Sequence, residues 1–209
     1  GKYGDNCANC PAGFVRGSNS NSAAKCDECL PGYSQKLAGQ AACLPCVPGK
    51  FQSKFNSTSC KACAEGTFQR LANGTTCEIC PEGYYQAESS APLCFPCSPG
   101  KTQSVRGQRS CEKCADGKYQ SEAGQTTCDT PDKTRVAVDG VAAIKIPPGF
   151  GAAGCNLDSS ICTDYEKCQS GYFSDFSDDG RPECKKCVDA VKYGPGYESP
   201  DGSTTCTAC

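Results

Sequence analysis

Large apolar residues are sparse along this chain, and they recur with a fixed spacing. One stands near every seventeenth position, at Phe14, Tyr33, Phe51, Phe68, Tyr84 with Tyr85, and Tyr119, and Thr102 fills the slot in the one unit that departs. The residues between them are mostly polar or small. That pattern predicts short turns and loops with almost no helix. One stretch differs: Thr134 to Ile146, "TRVAVDGVAAIKI", alternates apolar residues on either side of Asp139-Gly140. A dipeptide of that kind between two alternating runs is a strong hairpin signal. It predicts a β-hairpin over roughly Thr134–Ile146 as the longest regular element, followed by an irregular turn at Pro147-Pro148-Gly149.

Other positions keep the same register. Cysteines at 26, 43, 60, 77, 94, 111 and 128, and a second series at 29, 46, 63, 80, 97 and 114, repeat every 17 residues as C-x2-C-x13-C, and Cys7 with Cys10 fits with two extra residues before Cys26. A glycine stands three residues after each second cysteine, from Gly13 to Gly117. A glutamine follows at Gln35, Gln52, Gln69, Gln86, Gln103 and Gln120. Late in the loop comes Gly39, Asn56, Asn73, Gly107 or Gly124, with Ser90 the exception. Each unit therefore reads as a small loop with two turns, the second left-handed. The aromatic residue is expected to pack on its own disulfide and on the next unit.

Composition limits how such a chain can be stable. It has 209 residues with 22 cysteines and no His, Met or Trp. A chain without a large aliphatic core needs staples, and disulfides persist in oxidising compartments, so the expected location is extracellular or at the cell surface. One disulfide closing a loop of this size contributes roughly 3 kcal/mol. Ordering each residue costs roughly 1.5 kcal/mol. A single unit is therefore not expected to fold alone, and stacked neighbours must supply the difference. The expected fold is a set of small disulfide-rich tandem repeats forming an elongated rod.

The formal net charge of −2 gives no electrostatic footprint for nucleic acid, and no apolar run is long enough to span a membrane. The chain begins at Gly1 without a signal peptide, so it is expected to be processed or cut from something longer.

The stretch "CLPCVPGKFQSKFNSTSCKACAEGTFQRLANGTTCEIC" resembles the ephrin-receptor-like cysteine-rich repeat. It is also similar to the simplest loop module of tumour-necrosis-factor-receptor domains. The resemblance covers residues 1–128 well and 168–209 loosely. It implies a secreted or surface protein and leaves the partner open, because such repeats serve as spacers in unrelated proteins.

At 131 the period expects a cysteine and meets Pro131, and none follows until Cys155. The chain therefore divides into an array over 1–131, a hairpin spacer over 132–154 and a second, irregular array over 155–209. The hairpin is read as a spacer, with an interaction strand for a neighbouring subunit as the alternative.

Cysteine counts alone leave the pairing open. In one scheme each second cysteine bonds the first of the next pair: Cys10–Cys26, Cys29–Cys43, Cys46–Cys60, Cys63–Cys77, Cys80–Cys94, Cys97–Cys111 and Cys114–Cys128. The rival scheme interleaves first with third and second with fourth, and it strands Cys114; Pro131 favours the former. The same rule continues as Cys155–Cys162, Cys168–Cys184 and Cys187–Cys206. It leaves Cys7 and Cys209, which are expected to bond cysteines outside this segment, in a longer chain or in adjoining subunits. Contacts of that head-to-tail kind build filaments.

The C-x2-C spacing also suits zinc, but zinc modules seldom chain so many pairs at one constant interval. Redox catalysis by such a pair needs a strand-to-helix context, which the pattern does not offer. No histidine is available as a base, and no catalytic residue, metal or cofactor is expected. The run Asp175, Ser177, Asp179, Gly180 imitates the start of a calcium loop, yet its twelfth position is Lys186 rather than Glu. Two N-glycosylation sequons, at Asn56 and Asn73, share one repeat position, where Asn also suits a left-handed turn. The expected function is a glycosylated structural component of an extracellular filament, stalk or coat that contacts copies of itself or other surface proteins. The alternative is the ligand-binding ectodomain of a receptor.

Overall fold

The structure is a computed structural model, and it describes residues 2–3, 8–16, 26–155, 161–176, 180–187, 197–205 and 207–208. It is built of short antiparallel two-stranded hairpins, with no α-helix among the described residues. Contacts divide the chain into one unit of residues 1–97 and 103–111, and a second of 98–102 and 112–209.

In the first unit each repeat opens with a turn in which the fourth residue after the second cysteine donates its N–H to the first, as from Tyr33 to Leu30 at 3.0 Å and from Thr67 to Ala64 at 3.0 Å. A two-residue hairpin follows. Lys50–Phe51 pairs with Lys61–Ala62, and Thr67–Phe68 with Glu78–Ile79. One disulfide closes each loop, joining Cys10 to Cys26, Cys29 to Cys43, Cys46 to Cys60, Cys63 to Cys77, Cys80 to Cys94 and Cys97 to Cys111.

The interior of each loop is a glutamine. Gln69 is buried; its side-chain N–H donates to the Thr76 carbonyl at 2.6 Å, and its Oε1 accepts from the Leu71 N–H at 3.0 Å. Gln35, Gln52, Gln86 and Gln103 make the same two bonds, each to the carbonyl seven residues on and the amide two residues on. Glutamine suits the role because one side chain carries both a donor and an acceptor at a reach that crosses the loop. The aromatic residues are only half-buried or, at Tyr84, exposed; the second cysteine of each pair and the glutamine are what is buried. The interior of each loop is thus sulfur and amide, with the aromatic ring at its edge.

Repeats are joined through backbone. The Gly32 N–H donates to the Gln52 carbonyl of the next repeat at 2.7 Å, and the Cys46 N–H returns to the Gly32 carbonyl at 2.8 Å. The late-turn residue Asn73 donates its N–H to the Cys46 carbonyl of the preceding repeat at 2.8 Å. Contact extends one repeat further: a Cβ on Gly32, whose φ is +86°, would overlap the Asn73 carbonyl oxygen, and Gly13, Gly49 and Gly66 meet Asn56, Ser90 and Gly107 in the same way. Glycine is required here for the close approach as well as for its φ. Ser90 adopts the left-handed conformation with φ 61° although it is not Gly or Asn.

The second unit carries the same bonding pattern through the stretch without regular cysteines. Cys114 bonds Cys128, after which the Arg135 N–H donates to the Asp132 carbonyl at 3.0 Å and the Ile146 N–H to the Thr134 carbonyl at 2.9 Å. These are the opening turn and the closing bond of a repeat, with Pro131 and Ile146 in the two second-cysteine slots. Another repeat follows: the Phe150 N–H donates to the Pro147 carbonyl at 3.2 Å and the Cys168 N–H to the Gly149 carbonyl at 2.9 Å. Residues 132–154 thus carry the backbone bonds of a repeat without its usual staple. Where the cystine is absent, Val136, Ile146 and Cys162 form an apolar cluster with Phe150 and Tyr165 packed against it.

The hairpin at Asp139-Gly140 pairs Arg135–Val138 with Ala142–Lys145, and both turn residues have positive φ, 53° and 71°. It is not the longest element, as the alternation predicted. Phe150–Cys155 and Cys162–Lys167 run six residues each, crossing the expected boundary at 154, and Tyr172–Phe176 pairs with Pro182–Lys186. The six-residue pair runs outward from the Cys155–Cys162 disulfide, whose two cysteines are cross-strand partners.

Substituting Gln69 with Leu should leave the Thr76 carbonyl and the Leu71 N–H without partners and destabilise the array by about 1–3 kcal/mol. Denaturant unfolding with amide exchange at Leu71 checks this; an unchanged exchange rate there would show that the glutamine clip contributes nothing. Asp132 accepts hydrogen bonds from the Thr134 hydroxyl and N–H, and these bonds, chiefly the first, hold its carboxyl below the ordinary value of 3.8. A lowered value in the folded state means the contribution is complete above the ordinary value and disappears as pH falls through the lowered one. Protection of the Thr134 amide should therefore drop on acidification below about pH 4. Asp132→Asn should remove that pH dependence; if both proteins lose protection in parallel, another group is responsible.

Candidate functional site

Loops held by backbone bonds leave most side chains outside. Large apolar residues are exposed along the whole first unit, among them Leu30, Leu44, Val47, Phe55 and Phe95. The loops read as mostly polar or small thus also present large apolar groups to solvent. Leu37, Leu71 and Val105 share one position, eight residues after the second cysteine, in alternate repeats, and they are 61%, 67% and 55% exposed. Lys54 and Glu88 fill that position in the repeats between. Glu65 and Arg109, also two repeats apart, bridge at 2.9 Å across the exposed surface.

The sequons lie on the late turns. Asn56 and Asn73 both have positive φ, 54° and 56°, so the left-handed turn alone accounts for asparagine there. Their side chains differ. Asn73 is exposed, and its Nδ2 donates to the Tyr33 hydroxyl at 3.3 Å. Asn56 is half-buried, and its buried Oδ1 has no hydrogen-bond partner. Tyr33's place two repeats before Asn56 is taken by Phe14, which has no hydroxyl.

The remaining candidate residues fall as follows. Cys155 and Cys162 are cross-strand partners and are disulfide-bonded, and Cys168 bonds Cys184. Cystine sulfurs are not available as zinc ligands, and no cluster of potential metal ligands occurs among the described residues. Asp175 lies 3.6 Å from the Lys185 ammonium; Ser177 and Asp179 are outside the described residues. Cys7, Cys206 and Cys209 are also outside them. No helix among the described residues is long and apolar enough to cross a membrane.

A family model described as tyrosine-protein kinase ephrin type A/B receptor-like matches residues 32–71 and 66–107. Over this span the chain is similar to ephrin-receptor-like cysteine-rich repeats. No curated protein matches the chain. Each ephrin-receptor-like match covers a little over two repeats, in keeping with contacts that reach the second neighbour. The glutamine clip was missed in the sequence although its register was plain, because period alone does not say which side of a loop a residue faces.

Of the two sequons, Asn73 should carry glycan and Asn56 much less, since a sugar on Asn73 enters solvent while the Asn56 amide is partly enclosed. Mass spectrometry of glycopeptides from the protein expressed in a eukaryotic host gives the occupancies. Equal occupancy, or a preference for Asn56, would contradict this reading.

Proposed function

We propose that this chain, a disulfide-rich array similar over residues 32–107 to ephrin-receptor-like repeats, serves as a glycosylated structural element of an extracellular filament, stalk or surface coat, without enzymatic activity. The observation that carries this reading is the continuity of backbone bonding through the repeats, including those without the usual cystine. A scaffold locked by backbone and cystine keeps its geometry while surface side chains vary, as a spacer or strut needs. Apolar side chains distributed over successive repeats also suit lateral contact with like surfaces more than one localised ligand.

A receptor ectodomain is the second reading. It is favoured by the size of the exposed residues at Leu44, Phe55 and Phe95, which a protein ligand would cover. Negative-stain microscopy of native material separates the two. Filaments or a surface layer with a regular repeat are expected. Dispersed single molecules that capture a soluble protein at defined stoichiometry would replace the structural reading with the receptor one.

A further inference from the structure

Within the second unit lies a cavity of about 450 Å³ whose walls include Lys101, Lys113, Lys118, Asp116, Asp139 and Val141. It opens where the stapled repeats give way to the hairpin. A Cβ on Gly32 would overlap a carbonyl two repeats on, but one on Gly100 would lie 3.6 Å from the Gly140 carbonyl oxygen and 3.1 Å from the Val141 side chain. The hairpin turn fills the late-turn position less closely and leaves space beside it.

Lys101 and Lys113 are direct cross-strand partners. Like charges at that register are unfavourable, and at this place in the five preceding hairpins the pairs are Phe14 with Glu28, Tyr33 with Pro45, Lys50 with Ala62, Thr67 with Ile79 and Tyr84 with Pro96. None of the three lysines forms an ion pair among the described residues, although two carboxylates line the same cavity. The cavity wall also holds Gly117, which is buried. In earlier repeats this glycine N–H donates to a glutamine carbonyl; for Gly117 no acceptor occurs among the described residues. An uncompensated cluster of ammonium groups and a buried free donor together favour an oxyanion.

We propose that this cavity binds one sugar unit bearing a single acidic group, a carboxylate or sulfate, within a glycan. The lysines take the acidic group, while Asp116 and Asp139 accept hydrogen bonds from sugar hydroxyls and disfavour densely charged polyanions. Three lysines against two aspartates leave a side-chain charge of +1, matching one acidic group. The volume lies in the range of small-molecule sites, roughly 300–1,000 Å³.

The test is titration of the whole ¹⁵N-labelled chain, followed by amide shifts, with glucuronate, glucose 6-sulfate, glucose, inorganic sulfate and a glutamate-rich peptide. The two acidic sugars should shift the Lys101, Lys113 and Gly117 amides, glucose should not, and inorganic sulfate should bind at least about tenfold more weakly. Lys113→Gln should weaken the acidic sugars about tenfold. Asp139→Asn, which suits the left-handed turn, should weaken the sugars and spare inorganic sulfate. Sulfate binding as tightly as the sugars would reduce the cavity to an adventitious ion site only. Tighter binding of the peptide would assign it to a protein partner, and no shift at Gly117 with any probe would overturn the proposal.

Discussion

Everything in this fold depends on two backbone bonds made by one glycine. Its N–H reaches forward to the glutamine carbonyl of the next repeat, and its carbonyl receives the N–H of the residue that opens that repeat. A chain with so few aliphatic residues cannot hold its units together by burying a common core, and the direct alternative is to satisfy backbone groups between them. The buried glutamine makes this possible. Its side chain closes the loop internally, so its main chain is free to serve the neighbours. The disulfide then removes much of the disorder the open loop would regain on unfolding.

The bonding explains why a cystine is dispensable at particular places. At Ile146 the slot of a buried cysteine holds a buried aliphatic side chain, and Val136 and Cys162 close around it. The repeat keeps its turns because they rest on main-chain groups that any residue supplies. Proline at 131 is a sharper exception, since it removes the N–H that the preceding glycine carbonyl would accept. Gly117, whose carbonyl would accept that N–H, lines the lysine-lined cavity.

Contacts between repeats two apart change what the surface presents. Leu37, Leu71 and Val105 hold one exposed position in alternate repeats, Lys54 and Glu88 hold it in the repeats between, and Glu65 and Arg109 show that side chains two repeats apart reach each other.

Much was legible in the sequence. The interval of 17 residues, with Gly, aromatic, Gln and Asn or Gly in fixed slots, determined the short hairpins, the absence of long helices among the described residues and the positions of positive φ, because each depends on local chain geometry. Asp139-Gly140 announced its turn for the same reason. The tertiary structure alone decided what each slot faces. It placed Gln69 inside and Phe68 toward the rim, and it separated Asn73 from Asn56 through a hydroxyl present on Tyr33 and missing from Phe14. It also carried the repeat through Pro131 and Ile146, where cysteine spacing signalled a break. These outcomes turn on which groups meet across a loop, as Gln69 meets Leu71 and Thr76, or across repeats, as Asn73 meets Tyr33, and a periodic sequence fixes the period of such contacts without fixing which groups meet.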